Sequence, residues 1–231
     1  MTILDLKLGF EPHQELNPKL WKGQTLYPDI ESALIKIAQD FKKFIDVPFD
    51  VVDVRVTGGQ VSYFYTEHSD LDLHLVADFA SVKCDREAAE LFDAKRLLYK
   101  AKYDITVRGI PVELYVEDLD HPAVSAAYSV MKRQWITSPK SDLGPFDVED
   151  IEHMSRVWAT IIGRSLESKN IETARKTLNL LRKFRHLGLK TGGEYSTANL
   201  VYKTLRNSDL IAKLQNFIDQ EHDRTLSIGS I

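Results

Sequence analysis

The chain has little of what marks secreted or membrane proteins. It contains a single cysteine, Cys84, among 231 residues, so no disulfide can form within one chain. That is typical of a protein from a reducing compartment. No apolar run approaches the ~18–20 residues that span a bilayer, so we expect no membrane partner. Residues 1–5 lack a basic stretch followed by apolar residues, so we expect no secretory signal and predict a cytoplasmic protein.

Other site types are also poorly represented. The seven histidines are scattered, and no Cys/His group has the spacing of zinc ligands. A pI near 6.0 argues against a dedicated duplex-binding protein. With 43% hydrophobic and 28% charged residues, the composition is that of an ordinary globular protein. Its length suffices for one large domain or two small ones.

The formal net charge of −4 is unevenly divided along the chain. Residues 1–150 contain 17 Lys and Arg against 26 Asp and Glu, a net charge of −9, and residues 151–231 contain 13 against 8, a net charge of +5. The division indicates an acidic half that needs cations and a basic half that could meet phosphates. The alternative is two solvated surfaces of unequal sign.

The spacing of apolar residues predicts an α/β (α+β) fold. Residues 1–28 contain several prolines and predict an irregular lead-in whose part from 11 to 28 packs on the surface. Helical spacing begins at Asp29, and alternation then indicates strands. The predicted elements are a helix over 29–45, strands over 49–56 and 70–76, a helix over 85–101, and strands over 103–107 and 110–116 joined by a turn at Arg108-Gly109.

The last third of the chain has helical spacing throughout. Residues 139–145, which contain two prolines, a serine and a glycine, predict a linker. Helices are expected over roughly 148–168, 171–187 and 196–220, with breaks at Gly188 and at Gly192-Gly193. We therefore expect a mixed sheet flanked by helices, followed by a C-terminal α-helical domain. The predicted divisions are a lead-in over 1–28, an α/β domain over 29–138 and a helical domain over 146–231.

The most informative motif is a glycine pair followed by two acids. Gly58-Gly59 ends the strand over 49–56, and after ten residues Asp70 and Asp72 begin the next strand. Strand side chains alternate, so both carboxylates emerge on one face, with anchors roughly 6.6 Å apart. That separation suits one divalent ion, or two ions about 3.5–4 Å apart, and indicates metal-assisted phosphoryl or nucleotidyl transfer.

A third acid, Glu113, lies in the strand over 110–116. Val112, Leu114 and Val116 form one apolar row, so Glu113 points the other way, and beside the strand of Asp70 and Asp72 it could complete a triad. Asp104 is the rival for this role. Three acids on one face repel one another without cations, and Mg²⁺ or Mn²⁺ is the natural partner because these ions prefer oxygen ligands. A backbone without Cβ atoms at Gly58 and Gly59 would let a triphosphate approach closely.

With these motifs, residues 30–118 resemble the DNA polymerase β-like nucleotidyltransferase superfamily. The resemblance implies that the α/β part has the nucleotidyltransferase fold. It also implies that Asp70, Asp72 and Glu113 are catalytic metal ligands, and that Gly58, Gly59 and Ser69 contact the nucleotide. Gly59 stands where many members have serine. A Gly-Gly pair occurs in tRNA nucleotidyltransferases and poly(A) polymerases, but the Arg-Asp that follows it there is absent from this chain.

Four stretches also look like predicted nucleotidyltransferases of tailed bacteriophages. This resemblance covers most of the first 140 residues and implies a phage protein in the host cytoplasm. The stretches are LNPKLW (16–21), YTEHSDLDLH (65–74), YDIT (103–106) and PVELY (111–115). Such proteins carry the motif of the donor site, and the resemblance leaves the acceptor open.

Two histidines near the acids are secondary candidates. His74 shares a face with Asp70 and Asp72, so it either lines the site or serves as a hydrogen-bonded scaffold. His68 lies in the loop before the acids and is a candidate phosphate contact.

Two segments of the helical half are candidates for nucleic-acid contact. Residues 175–186 form a basic amphipathic helix, with Lys176, Lys183 and His186 on the outward face, which either binds phosphates or is simply solvated. Tyr202, Lys203 and Arg206 either contact a nucleotide or pack within the fold.

Together these features predict transfer of a nucleoside monophosphate from a nucleoside triphosphate, such as ATP, to an acceptor hydroxyl, with release of pyrophosphate. The active site is expected in a cleft between the two domains. An RNA 3′ end, a small molecule, a protein side chain and another nucleotide remain as acceptors, and the basic helical half tilts the choice towards RNA. The competing hypothesis is a catalytically inactive module that binds a nucleotide or a partner.

Overall fold

A computed structural model describes residues 6, 13–82, 85–120, 126–140 and 147–228 of the chain. These residues form a six-stranded mixed sheet, a two-stranded hairpin and six α-helices, which confirms the mixed α/β class. The described residues from 13 to 140 belong to one compact unit and those from 147 to 228 to another.

The first unit contains the sheet. Helices are present where the apolar spacing predicts them, and so are the strands predicted over 49–56, 70–76 and 110–116. The strand predicted over 103–107 is shorter. The elements in chain order are β1 (Trp21–Lys22), β2 (Thr25–Leu26), α1 (Pro28–Ile45), β3 (Val51–Thr57), β4 (Leu71–Ala77), α2 (Asp85–Lys102), β5 (Thr106–Val107), β6 (Ile110–Asp118), β7 (Ala127–Ser129) and β8 (Gln134–Thr137).

The strand order in the sheet is β5-β6-β4-β3-β7-β8. β4 and β6 are parallel, and the other neighbouring pairs are antiparallel. Parallel neighbours need a crossover connection, and the segment containing α2 supplies it. The predicted turn at Arg108-Gly109 joins β5 to β6, and both of its residues have positive φ, as a tight hairpin turn requires.

The two faces of the central strands differ in chemistry. In β4, Leu71, Leu73 and Leu75 are fully buried, whereas Asp72 and His74 alternate with them and remain partly exposed. The polar face continues across the neighbouring strands at matched register. Its members are Arg55 and Thr57 in β3, Asp72 and His74 in β4, and Glu113, Tyr115 and Glu117 in β6.

The segment before α1 is part of the core, so the prediction that it packs on the surface is wrong. Leu16, Leu20 and Trp21 are at most 2% exposed. The indole of Trp21 meets Tyr128 edge-on and stacks on Trp135, with ring centroids 5.2 and 5.0 Å away. Large apolar side chains between the turn residues outweigh the irregular backbone, because burying each contributes about 1.5–3 kcal/mol.

The second unit contains α3 (Val148–Glu167), α4 (Ile171–Gly192), α5 (Thr197–Asn207) and α6 (Leu210–Leu226). The break expected at Gly188 is wrong, since α4 continues to Gly192. A Cβ atom on Gly188 would lie 2.5 Å from the Cβ of Ala198, so this glycine allows α4 and α5 to approach closely. The single helix expected over 196–220 is two helices, divided at Ser208 and Asp209.

Two expectations fall outside the described residues. One concerns Cys84, and the other is most of the predicted linker, of which residues 141–145 are not described. Within the described ranges, no helix combines the length and the apolar character that crossing a membrane requires.

Candidate active site

The predicted carboxylates lie on adjacent strands. Asp72 in β4 is directly opposite Glu113 in the parallel strand β6, so both side chains emerge on the same face of the sheet. Asp70 lies just before β4 and two residues from Asp72, which gives it the same facing. The condition set for Glu113, that its strand lies beside the strand of Asp72, is met.

A pocket of about 220 Å³ opens between α2, the segment that follows it and β6, and Asp70 and Glu113 both line it. Asp104, the rival third acid, lines the same pocket. Two cations from α2, Arg96 and Lys100, complete its charged wall. The pocket therefore combines three carboxylates with two basic groups, a mixture suited to holding a cation and an anion together.

Glu113 is held at both of its carboxylate oxygens. One carboxylate oxygen forms an ion pair with Lys100, and the other accepts a hydrogen bond from the Tyr115 hydroxyl at 2.7 Å. Partial burial raises the pKa of Glu113, but the hydrogen bonds from Lys100 and Tyr115, with the charge of Arg96, hold it below its ordinary value. Glu113 is therefore ionised at neutral pH, with both oxygens engaged.

Asp70, Asp72 and Glu113 do not converge into a coordination shell that is ready for a metal ion. In the part of the chain that the structure describes, no group of three His, Cys, Asp or Glu side chains is arranged to hold a metal ion. Both carboxylate oxygens of Glu113 are already engaged, one by Lys100 and the other by Tyr115. The donor set itself fits the chemistry, because three carboxylates on neighbouring backbone positions are the oxygen ligands that Mg²⁺ and Mn²⁺ prefer.

A chain of contacts fixes the orientation of Tyr115. Its ring stacks on His74, with centroids 4.8 Å apart, and Arg96 lies 4.9 Å over the ring. His74 Nε2 lies 3.1 Å from the Thr57 hydroxyl, and Nδ1 lies 2.9 Å from a Glu117 oxygen. Burial, followed by the hydrogen bond to Glu113, raises the pKa of Tyr115 well above its usual range, so it remains a donor at neutral pH. This geometry favours the scaffold role for His74.

The glycine pair lies against the acidic segment. Gly58 has φ +79° and ψ −158°, a conformation essentially restricted to glycine. A Cβ atom there would overlap the carboxylate of Asp72, and one on Gly59 would lie 2.8 Å from the Ser69 hydroxyl oxygen. Both glycines thus allow the loop after β3 to approach the start of β4, a role that the sequence does not reveal.

Gln60 joins the two loops and was missed by the sequence analysis. Its side chain is 1% exposed, accepts a hydrogen bond from Asn17 at 2.8 Å and donates one to the Ser69 carbonyl at 2.6 Å. Its own carbonyl accepts from the Trp21 indole at 2.9 Å. These bonds hold the glycine loop, the acidic loop and the segment before α1 in one arrangement.

Ser69 is buried against the glycine loop that follows β3. Its hydroxyl accepts a hydrogen bond from the Thr66 backbone N–H at 2.9 Å, so it is engaged in shaping the turn that leads to Asp70. His68 is exposed in the same turn and lies 3.4 Å from a Glu67 oxygen.

The basic helix of the second unit presents the outward face that its spacing predicts. In α4, Leu178 and Leu181 are buried, while Lys176, Lys183 and His186 are exposed.

The candidates on α5 are mostly engaged in packing. The guanidinium of Arg185 lies 4.5 Å over the ring of Tyr202, and Lys203 pairs with Glu194 at 3.2 Å. Arg206 is exposed.

Comparison of the chain with models of protein families, with curated proteins and with solved structures gives no match. The resemblance to the polymerase β-like superfamily therefore stays a prediction from motifs. Function has to be argued from the chemistry of the pocket and of the strands that form it.

Proposed function

We propose that this protein is a metal-dependent nucleotidyltransferase with the nucleotidyltransferase fold in its first unit and a helical domain after it. The observation that carries the proposal is the register of the parallel strands, which sets Glu113 directly opposite Asp72 while Asp70 and Glu113 line one pocket. A glycine loop that approaches Asp72 and Ser69 closely accompanies this triad.

In this proposal each residue has a distinct task. Asp70, Asp72 and Glu113 would hold the divalent ions, which when bound neutralise phosphate charge and lower the pKa of a hydroxyl. Glu113, ionised at neutral pH, accepts the proton of the acceptor hydroxyl. Arg96 on the pocket wall faces the anionic donor. Tyr115 keeps the carboxylate of Glu113 oriented.

RNA is the acceptor that we propose. The supporting observation is the exposed basic face of α4, in a part of the chain whose net charge is +5. Contact of Lys176, Lys183 and His186 with the phosphate backbone would be electrostatic and insensitive to sequence. We expect transfer to RNA to fall steeply between about 50 and 200 mM salt. Salt-independent transfer would argue for a small-molecule or protein acceptor.

The experiment incubates the protein with α-labelled nucleoside triphosphates, Mg²⁺ or Mn²⁺ and RNA, and measures incorporated label and released pyrophosphate. Asp70→Asn with Asp72→Asn, and separately Glu113→Gln, should lower the rate by at least about 100-fold. Glu90→Gln is the control, because Glu90 is an exposed acid on the same helix as the pocket cations but outside the pocket. Transfer that survives Glu113→Gln but not Asp104→Asn would reassign the third acid.

The second candidate is a module that binds nucleotides without turnover. The ion pair between Lys100 and Glu113 favours it, because the lysine ammonium already occupies a carboxylate oxygen that metal binding would need. Saturable nucleotide binding without pyrophosphate release, over a panel of RNA, protein and small-molecule hydroxyl acceptors, would support this reading.

A further inference from the structure

Lys100 lines the pocket and links α2 to β6. It lies in the last turn of α2, and its side chain is 62% exposed, yet its ammonium pairs with Glu113, which is 19% exposed. Arg96, one helical turn earlier, lies over the ring of Tyr115. Two cations of one helix therefore cover one acid and the tyrosine that orients it.

The contacts of Glu113 divide between its two oxygens. The ammonium of Lys100 occupies Oε1, and the Tyr115 hydroxyl occupies Oε2. Tyr115 is neutral, so its hydrogen bond is compatible with a cation on the other oxygen. Lys100 carries a positive charge, and it cannot share Oε1 with a divalent ion at the close distances such an ion requires, about 2.0–2.1 Å for Mg²⁺.

We propose that Lys100 is a built-in counter-cation of Glu113, which a divalent ion must displace before the three carboxylates can bind it together. This inference rests on the proposed function, because it takes Asp70, Asp72 and Glu113 as the ligand set. The Tyr115 hydroxyl stays hydrogen-bonded to Oε2 of Glu113 while the metal ion binds, so only the contact at Oε1 changes. Lys100 is thus a positioning residue that lowers the affinity of the site for the metal ion.

The test measures Mn²⁺ binding by the electron paramagnetic resonance signal of the free ion, with no nucleotide present. Lys100→Met removes the ammonium and should tighten binding by up to about fivefold, the effect of a partly exposed ion pair. Lys100→Arg keeps the cation and should retain the wild-type affinity. Lys102→Met is the matched control, because it removes the same charge from the same helix. The Lys102 ammonium lies beside aromatic rings, 5.9 Å from the centre of the Phe44 ring and 5.0 Å from that of Tyr103.

A double variant separates this contact from a general effect of charge. If Lys100 acts through Glu113, the gain from Lys100→Met disappears when Glu113→Gln is present. A gain that persists in the double variant, or an affinity in Lys100→Met equal to that of Lys102→Met, overturns the proposal.

Results of a different kind would overturn the proposed function. Absence of Mn²⁺ binding in wild type and in every variant overturns the metal site and this inference together. Binding that Asp70→Asn with Asp72→Asn abolishes, but Lys100→Met leaves unchanged, overturns only the role of Lys100.

Discussion

Replacing Gly58 by alanine perturbs the contact between the glycine loop and the acidic strand. An alanine at φ +79° and ψ −158° carries backbone strain of about 1–3 kcal/mol. Its Cβ atom would also overlap the carboxylate of Asp72, and the displacement that relieves such overpacking typically costs about 1–3 kcal/mol. We expect Gly58→Ala to lower the free energy of unfolding by about 2–6 kcal/mol.

Gly109→Ala is the control for strain alone. Gly109 has φ +78°, and no atom lies within 4 Å of the position that its Cβ would occupy. Strain at this position should cost about 1–2 kcal/mol. At about 2–4 °C per kcal/mol for a chain of this size, Gly58→Ala should lower the melting temperature by about 4–24 °C, and Gly109→Ala by clearly less.

The second readout is the acidic site itself. Because the new methyl group displaces Asp72, Gly58→Ala should weaken Mn²⁺ binding, whereas Gly109→Ala should leave it unchanged. Equal melting temperatures for the two variants, together with unchanged Mn²⁺ affinity in Gly58→Ala, would refute the close approach of loop and acid.

Three further predictions test other parts of the structure. Gln60→Leu leaves buried polar partners unsatisfied and should cost about 2–4 kcal/mol in urea denaturation, whereas a loss below about 0.5 kcal/mol would contradict its bridging role. Gly188→Ala gains about 1 kcal/mol of helix propensity but crowds Ala198, so we expect a net loss of about 1–2 kcal/mol, and a higher melting temperature would contradict the close packing. Tyr115→Phe removes a hydrogen-bond donor to Glu113, so the pKa of Glu113 should rise in a metal-free NMR titration, and an unchanged pKa would refute the contact. A carboxyl whose pKa is lower in the folded than in the unfolded protein stabilises the fold at pH values above its unfolded pKa, and this contribution is lost as the pH falls through its folded pKa. The stability advantage of the wild type over Tyr115→Phe should therefore shrink on acidification.

The central strands were predictable because period-two alternation is a local signal. Leu71, Leu73 and Leu75 mark the buried row, which fixes the facing of Asp72 between them. Placing Glu113 beside Asp72 needed one further step, the pairing of their two strands, which the sequence pattern leaves as a condition and the parallel register of β4 and β6 supplies. The facing of these acids could be predicted from the sequence because it follows from strand geometry.

Contacts between distant segments could not be predicted in the same way. Asn17 and Gln60 are 43 residues apart, and nothing in either neighbourhood specifies that their amides meet. Lys100 and Glu113 are closer in sequence, yet their pairing depends on how α2 crosses β6. Such side-chain contacts follow from tertiary packing, and local patterns do not encode them.

Glycine was ambiguous for a physical reason. Gly188 and Gly58 are alike in sequence terms, since each follows a regular stretch. Gly188 permits close packing inside a continuous helix, whereas Gly58 adopts a backbone conformation that other residues rarely adopt. Only the surrounding atoms distinguish a helix break from a close approach, and for that reason the break expected at Gly188 is wrong.

The central claim is that Asp70, Asp72 and Glu113 form one metal and nucleotide site. The most direct test is a crystal structure with Mn²⁺ and a non-hydrolysable nucleoside triphosphate, in which anomalous scattering locates the metal. The claim predicts Mn²⁺ bound by carboxylate oxygens of all three residues and by the phosphates, with Lys100 released from Glu113. Mn²⁺ bound elsewhere, or a nucleotide bound while Glu113 stays paired with Lys100, would contradict it.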